Sequence, residues 1–445
     1  MNLLSPFRRH LGTLQLPSGR GLVAVSGGPD SVTLLHLLLR SSDLHRTDLV
    51  VAHFDHGIHP ESRRIAEAVG ALASSLGVPF ESGQGNLGPS AGETRARAAR
   101  YTWLESVRLR LGASSIFTAH HADDQVETIL MRVLAGSGPA GLAGMAPTSG
   151  RLVRPLLPFR RAQLVSYARE TGLPFWDDPA NADPRHLRSW LRREVLPVLR
   201  VRLPEVDAKL ARVGRYAAGQ RQAWDRLIDH LPVLDLQVEE DGISIDGRGL
   251  REYGSPLAET ILMAVARRAG CPLLPRRSAR VLSLLHQGES GLRVPIVSGW
   301  QAELAFGRLR LVNSRSEGGA ELVPLTLAGH QGESRWGSWR LRWERDTAPE
   351  RQERASLTAW FALEGLTVRG WGAGDKLRPL GGTGRRLLVR CFQEAKVPRS
   401  RRTTWPVIAA GDAVLWVPGV CRSSELLPAV GSDALRVEVE LAGLP

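Results

Sequence analysis

Leu22-Val23-Ala24-Val25-Ser26-Gly27-Gly28-Pro29-Asp30-Ser31-Val32-Thr33-Leu34-Leu35-His36-Leu37-Leu38-Leu39 reads as a short apolar strand, a tight polar turn and an apolar helix. Consecutive small hydrophobes suit a strand buried on both faces of a parallel sheet. Gly27 and Gly28 permit backbone angles closed to other residues and leave no side chain before an approaching ligand. The helix opens with unpaired N–H groups and the positive end of its dipole, which together attract an anion. Ser26 and Ser31 add hydroxyl donors, and Asp30 adds one carboxylate. Such a turn can hold phosphate groups, with a charge left over for a metal ion or for the reacting group.

The turn lacks the Gly-Lys-Ser or Gly-Lys-Thr ending of the commonest phosphate loop. The chain has only three lysines, Lys209, Lys376 and Lys396, and none follows a glycine. The pattern Ser-Gly-Gly-x-Asp-Ser resembles instead the pyrophosphate loop of the ATP pyrophosphatases, which cleave ATP between the α and β phosphates and adenylate a carbonyl oxygen.

Outward from this turn, residues up to about 160 alternate strand and helix. Asp48 to Gly57 is a strand ending in polar groups, and Arg63 to Leu76 is a helix with Ile65, Val69, Leu72 and Leu76 on one face. Pro79 to Glu81 is a short strand, Glu93 to Leu111 a basic helix, Ser115 to Ala119 a strand and Asp124 to Leu134 a helix. The alternation predicts a doubly wound parallel α/β sheet, Rossmann-like, with ligands at the C-terminal strand ends. Glu205 to Leu231 reads as a long connecting helix. A mixed, mostly helical middle region follows, then a glycine-bearing polar linker, Ser314 to Ala320, and from about 322 a tryptophan-rich α+β region. The division expected is 1–200, 201–315 and 322–445.

At 445 residues the chain is too long for one ordinary core. No apolar run is long enough to span a bilayer, and the N-terminus lacks a signal-peptide core, so the cytoplasm is expected and a membrane is not. Cys271, Cys391 and Cys421 are odd in number and scattered, which excludes a disulfide framework and argues against structural zinc. A net charge of +13 favours a polyanionic partner, most simply nucleic acid.

Three further clusters carry polar chemistry. His53-Phe54-Asp55-His56-Gly57-Ile58-His59 ends the strand beside the phosphate turn. Its spacing does not fit a four-ligand metal site, so a wall for base and ribose, with Asp55 as acceptor, is expected. His120-His121-Ala122-Asp123-Asp124-Gln125-Val126-Glu127-Thr128 opens a helix. Plain capping needs one acid; the surplus from Asp123, Asp124 and Glu127 points to a cation, either Mg²⁺ on phosphates or a cationic substrate. Arg97 and Arg100 share a helical face beside Tyr101, and Pro184 to Arg193 forms a second basic segment containing Arg188, Trp190 and Arg192; both suit phosphate or RNA contact. Gly136-Ser137-Gly138-Pro139-Ala140-Gly141 follows a helix, not a strand, so it reads as a flexible loop over the site and not as a dinucleotide fingerprint.

Taken together the chain resembles the tRNA(Ile)-lysidine synthetase family. The carriers are Ser26–Ser31, His53-x-Asp55-His56-Gly57, Glu93-x-x-Ala96-Arg97-x-x-Arg100-Tyr101, Thr118–Thr128 and Gly138-x-x-Gly141-Leu142-x-Gly144-Met145. Asp178-Pro179-x-Asn181 fits as well. Where the family usually has Arg-Asn-x-x-Arg, this chain has Arg188-Ser189-Trp190-Leu191-Arg192. Gly374-Asp375, Pro398, Arg402, Pro406-Val407 and Trp416-Val417-Pro418-Gly419 resemble the family's C-terminal domain, with Trp371 in place of an arginine.

The resemblance implies a ligase using ATP and Mg²⁺. ATP adenylates the C2 carbonyl oxygen of the wobble cytidine in the isoleucine tRNA with anticodon CAU. Free L-lysine then attacks C2 through its ε-amine and displaces AMP. It implies ATP contacts from Ser26, Gly27, Gly28, Pro29, Asp30, Ser31, His53 and Asp55, with Asp30 a candidate Mg²⁺ ligand. Asp30, Arg97, Asp123 and Asp124 become catalytic candidates; His120, Asp123, Asp124 and Glu127 would hold lysine; Arg100, Arg188 and Arg192 would hold tRNA. Asp55 or His120 could accept the lysine proton. The sequence is also compatible with a homodimer. A tRNA thiolase on the same ATP module is disfavoured because every cysteine lies beyond residue 270. An amide-forming pyrophosphatase is disfavoured by the basic helices, and a catalytically inactive tRNA-binding protein by the intact acids.

Overall fold

The computed structural model describes residues 3–57, 62–85, 88, 92–176, 187–239, 241–297, 299–313, 322–362 and 365–441. Ile58, His59, Asp178, Pro179, Asn181, Pro184 to His186 and the linker Ser314 to Ala320 lie outside them. The chain divides into two compact units, Met1–Gln222 and Ala223–Pro445.

The first unit is an α/β sheet. After α1 (Leu4–Leu11) come β1 (Gly19–Ala24), α2 (Pro29–Leu39), the short α3 (Ser42–His45), β2 (Thr47–Asp55), α4 (Ser62–Ser75), β3 (Phe80–Gln84), α5 (Glu93–Arg110), β4 (Ser115–Phe117) and α6 (Ala122–Leu134). Then follow β5 (Thr148–Ser149), β6 (Leu152–Val153) and α7 (Arg161–Glu170). The strand order is β3-β2-β1-β4-β6-β5. All pairings are parallel except β5 with β6. The order reverses direction between β1 and β4, which opens a crevice beyond their C-terminal ends.

The expected alternation is therefore present, and its cause is burial. Leu22 and Val23 are inaccessible to solvent in β1, and so are Leu34, Leu35, Leu37 and Leu38 in α2. Each such leucine contributes roughly 2 kcal/mol through burial. That α2 is apolar all round reflects its position: it packs into the main core, and Thr33 Oγ1 donates to Leu164 O of α7 at 3.1 Å. The β5–β6 hairpin was not legible, since strands of two residues carry no periodicity.

Beyond the sheet, α8 (Leu187–Trp190) runs into a single π-helical stretch, Leu191–Val195, then α9 (Leu196–Arg202) and α10 (Val206–Leu227). The expected basic helix is thus interrupted by a wider turn, a feature common at functional sites.

In the second unit, an antiparallel sheet of strands Gln237–Glu239, Gly242–Asp246, Arg308–Asn313, Trp300–Ala305 and Leu292–Pro295 packs on helices Ser255–Arg268 and Pro275–Gln287. A second core, C-terminal to it, collects Trp336, Trp339, Trp343 and Trp416 between antiparallel sheets. Arg310, 2% exposed, ties the two regions of this unit together: it pairs with Glu303 at 2.9 Å and Asp241 at 3.3 Å and also with Glu239. Ser400 Oγ donates to the same Glu303 at 2.6 Å. Trp371, in place of the family's arginine, lies edge-on to Phe392 with ring centroids 6.0 Å apart.

Candidate active site

Gly27 has φ of +89°, and its carbonyl accepts from Trp176 N at 3.0 Å. A Cβ there would stand 2.7 Å from Ile65 Cγ2, so the turn depends on glycine. Gly28 differs from the expectation. Its φ of −74° and ψ of 160° are ordinary extended values. What Gly28 supplies is bare backbone, because a Cβ would meet nothing nearer than 3.7 Å. Ser31 Oγ receives Ser26 N at 3.1 Å and donates to Gly28 O at 2.9 Å, closing the turn from inside. Pro29 then starts α2 where a missing N–H costs nothing.

Asp30 sits in the first turn of α2. Its Oδ2 lies 3.4 Å from Arg161 Nε and 3.7 Å from His121 Nε2. Its Oδ1 is buried with no hydrogen-bond partner among the described residues. Burial raises the Asp30 carboxyl above the usual range, against the pull of His121 and Arg161. A desolvated carboxylate oxygen with nothing to bind is what a cation would satisfy.

Across the crevice, α6 starts two residues earlier than the sequence indicated. His121, and not an aspartate, is the N-cap: its Nδ1 accepts from Asp124 N at 3.3 Å, and Asp124 Oδ2 accepts from His121 N at 3.0 Å. His121 Nε2 is also 3.4 Å from Asp124 Oδ2. This histidine, which the sequence did not single out from its neighbour, therefore joins the strand-β1 acid to the strand-β4 acids.

The surplus acids have separate duties. Asp123 accepts from Arg161 N at 2.8 Å and Arg160 Nη1 at 3.1 Å. Although burial opposes it, those donors hold Asp123 below the usual carboxylate range. Arg160 also binds Asp207 Oδ2 at 2.6 Å, and Arg200 reaches the same oxygen at 3.1 Å. Asp123 is thus a fastening of α6 to α7 and α10. Asp124 and Glu127 face the segment after residue 186. Arg188 meets Glu127 Oε2 at 2.7 Å and Asp124 Oδ1 at 2.8 Å; Arg192 meets Glu127 Oε1 at 2.5 Å. Burial works against ionisation of Asp124, but His121 and Arg188 outweigh it and keep its pKa low. Arg188 and Arg192, two of the three arginines expected to hold tRNA, therefore rest on carboxylates.

His120 is pushed down to about 3, by burial first and then by Arg97, Arg154 and Arg188. It is neutral at ordinary pH and shares a 3.0 Å hydrogen bond with Thr118 Oγ1. Arg154, buried and donating to Ala146 O at 2.8 Å, is another positive group the sequence reading passed over. Arg97 and Arg100 stack on Tyr101, with guanidinium carbons 5.1 and 5.3 Å from the ring centre. His53 Nδ1 bonds Val25 O at 2.8 Å, and Asp55 Oδ1 accepts from Gly57 N at 2.8 Å; both residues are buried near the C-terminal end of β2. The glycine loop has regular structure: Pro139–Ala143 forms a 3₁₀ turn held by Arg132, which donates to Gly141 O at 2.6 Å and Gly144 O at 2.9 Å. Gln125 brackets Met145 by two further hydrogen bonds, of 2.8 and 2.7 Å.

No ordinary periodicity would have revealed Arg160, Arg161, Arg200 or Asp207. Their partners are between 7 and 131 positions away. The only hint was the arginine pair 160–161 placed ahead of a helix.

Residues 4–199 match a family model described as a PP-loop domain, and residues 366–439 match the TilS substrate C-terminal domain. The chain is 33% identical to the tRNA(Ile)-lysidine synthase of Geobacter sulfurreducens over 95% of its length and 93% of that protein. Against the protein of the same name from Symbiobacterium thermophilum it is 33% identical over 99% and 98% of the two chains. Against that of a Thermotoga species it is 37% identical over 94% and 95%. Matched across nearly the whole of both lengths, at both ends and through the crevice itself, the chain belongs to the tRNA(Ile)-lysidine synthase family.

Proposed function

We propose that the protein ligates free L-lysine to C2 of the wobble cytidine of the CAU-anticodon isoleucine tRNA through an adenylated cytidine, releasing pyrophosphate and then AMP. The product, lysidine, pairs with A, so the tRNA reads AUA. The observation that carries this reading is the meeting, at the β1–β4 crevice, of a phosphate-binding turn with the carboxylates Asp124 and Glu127.

The bare backbone at Gly27 and Gly28, the positive end of α2 and the hydroxyl of Ser26 would meet the phosphates and spread the charge that builds up when the cytidine O2 attacks the α-phosphate, while Ser31 holds the turn from inside. His53 and Asp55 line the edge for the nucleoside of ATP. Arg97 and Arg154 add positive field beside that site. The residues fit Mg²⁺: Asp30, with its unpartnered oxygen, would hold it. Substrate phosphates and water would complete the shell of such an ion. Mg²⁺ supplies neutralisation of phosphate charge when bound.

In the second half-reaction Asp124 and Glu127 hold the lysine α-ammonium, while the ε-amine must be neutral to attack. Asp55 and His120 are the two candidate acceptors of that proton. The 201–315 and 322–445 regions are taken to position the tRNA body, as the basic charge of +13 favours. The thiolase alternative is disfavoured because Cys271, Cys391 and Cys421 are all buried in the second unit. The described residues contain no helix long and apolar enough to cross a membrane; the cytoplasm is the compartment that this reaction on tRNA implies.

Asp30→Asn tests the arrangement. Formation of AMP should be lost while tRNA still binds. Near-normal AMP formation in that variant would remove Asp30 from the mechanism.

A further inference from the structure

Arg154 follows directly on β6, at the C-terminal edge of the sheet, and its strand lies beside β4 on the side away from β1. The residue is 8% exposed. Its Nη1 donates to Ala146 O at 2.8 Å, while its Nε is buried with no hydrogen-bond partner among the described residues. Burial above all, and Arg97 after it, push its guanidinium below the usual arginine range, against Tyr101. Arg97 Nη2 donates in turn to Tyr101 Oη at 3.5 Å, and its guanidinium carbon stands 5.1 Å from the Tyr101 ring centre. His120, within the field of both arginines, is neutral. Two cations thus meet here, and among the described residues neither rests on a carboxylate. Arg160, Arg188 and Arg192, elsewhere in the same unit, all do.

A buried cation with no counter-ion is costly, and the cost is relieved when an anion joins it. The guanidinium fork matches the oxygens of a phosphate. Two phosphates can supply that anion, one from ATP and one from the tRNA backbone. Position separates them. Neighbouring strands lie ~5 Å apart, so the end of β6, two strands along from β1, stands ~10 Å to the side of the phosphate turn. ATP phosphates seated on the turn leave Arg154 without a partner. A cytidine whose O2 reaches the α-phosphate carries its own backbone phosphates away from the turn, by the width of a nucleotide. We propose that Arg154, with Arg97 beside it, binds a backbone phosphate of the tRNA next to the wobble cytidine and so fixes where that base lies over the crevice. The inference rests on the reading that this cytidine is the target.

The test uses the full-length protein with ATP, Mg²⁺, L-lysine and the CAU-anticodon tRNA, ordinary or carrying one neutral methylphosphonate linkage on the 5′ or the 3′ side of the wobble cytidine. One of the two neutral linkages should raise the KM for tRNA on the order of 10- to 100-fold in wild type, with the KM for ATP within about 3-fold. Arg154→Gln keeps an N–H donor for Ala146 O but carries no charge. It should raise the KM for ordinary tRNA by a similar factor, and the neutral linkage should then cost nothing further. Wild-type enzyme that uses both neutral-linkage tRNAs as well as the ordinary one overturns the inference, and this arm does not depend on the variant folding. Losses from variant and linkage that simply add overturn it too, since an arginine that only braces the Ala146 carbonyl behaves that way. A raised KM for ATP in Arg154→Gln, with that for tRNA unchanged, assigns the anion to ATP and refutes the backbone contact. Ordinary tRNA that takes up no lysine fails the underlying reading instead. Direct binding of the ordinary and neutral-linkage tRNAs then still reads Arg154: the linkage should weaken binding to wild type and leave binding to Arg154→Gln unchanged.

Discussion

Replacing Gly27 and Gly28 separately by alanine distinguishes a glycine needed for the fold from one needed for the ligand. At Gly27 the backbone has φ of +89° and the added Cβ would lie 2.7 Å from Ile65 Cγ2. Holding an alanine at positive φ costs about 1–2 kcal/mol, and moving Ile65 aside about 1–3 kcal/mol. Gly27→Ala should therefore destabilise the first unit by roughly 2–5 kcal/mol, a fall in Tm on the order of 10 °C. At Gly28 the φ is −74° and the nearest atom to a new Cβ is Ser26 Oγ at 3.7 Å. Gly28→Ala should leave Tm within about 2 °C of wild type. Its methyl group would nonetheless project where phosphates must approach backbone N–H groups, so ATP affinity should fall by at least about tenfold. Differential scanning calorimetry and equilibrium binding of ATP read the two effects. A Gly27→Ala protein as stable as wild type would refute the strained turn, and a Gly28→Ala protein with unchanged ATP affinity would refute the contact of phosphate with its bare backbone.

Other perturbations follow from the same geometry. His120, held neutral by burial and neighbouring arginines, has a folded pKa of about 3 against 6.5 unfolded. Stability from this group is complete above 6.5 and declines as pH falls toward 3, because the unfolded chain takes up the proton that the fold refuses. The slope is up to about 1.4 kcal/mol per pH unit. Urea midpoints at pH 7 and pH 5 should differ more in wild type than in His120→Asn. In the second unit, Arg310→Met would remove the buried cation shared by Glu303, Asp241 and Glu239, leaving Glu303, 1% exposed, with Arg293 and Ser400, at a cost of about 3–5 kcal/mol seen in denaturant unfolding. Binding of tRNA should weaken steeply between 50 and 200 mM salt, roughly 10³-fold or more if six or more phosphates are contacted; filter binding across that range reads it, and a flat response contradicts a phosphate-dominated interface.

The parallel sheet was legible because burial on two faces forces continuous apolar runs, as in Leu22 to Val25 and Ile116 to Phe117. The strand–turn–helix was legible because its closure is local, Ser31 bonding Ser26 and Gly28, whereas the partners of Gly27 and Asp30, Ile65, Trp176, His121 and Arg161, were not. The β-rich C-terminal region showed through its tryptophans, which the structure places in the core. What sequence could not show was the division of labour among adjacent acids. Asp123 and Asp124 are neighbours, yet one fastens helices through Arg160 and Arg161 and the other faces Arg188 and Arg192. That difference is set by partners far along the chain and by helical phase. The same holds for His120 and His121, of which only the second bridges Asp30 and Asp124. The hydrogen bonds that hold the glycine loop were not legible, because they come from Arg132 and Gln125, side chains on a preceding helix, and not from its own composition.

The central claim is that the crevice beyond β1 and β4 couples ATP cleavage to capture of lysine by a cytidine. The most direct measurement is incubation of the purified protein with ATP, Mg²⁺, radiolabelled L-lysine and the CAU-anticodon isoleucine tRNA. The account predicts one label per tRNA, retained after denaturation, with one AMP and one pyrophosphate released for each lysine incorporated. Folded protein that yields unlabelled tRNA, or that releases ADP in place of AMP, would contradict it.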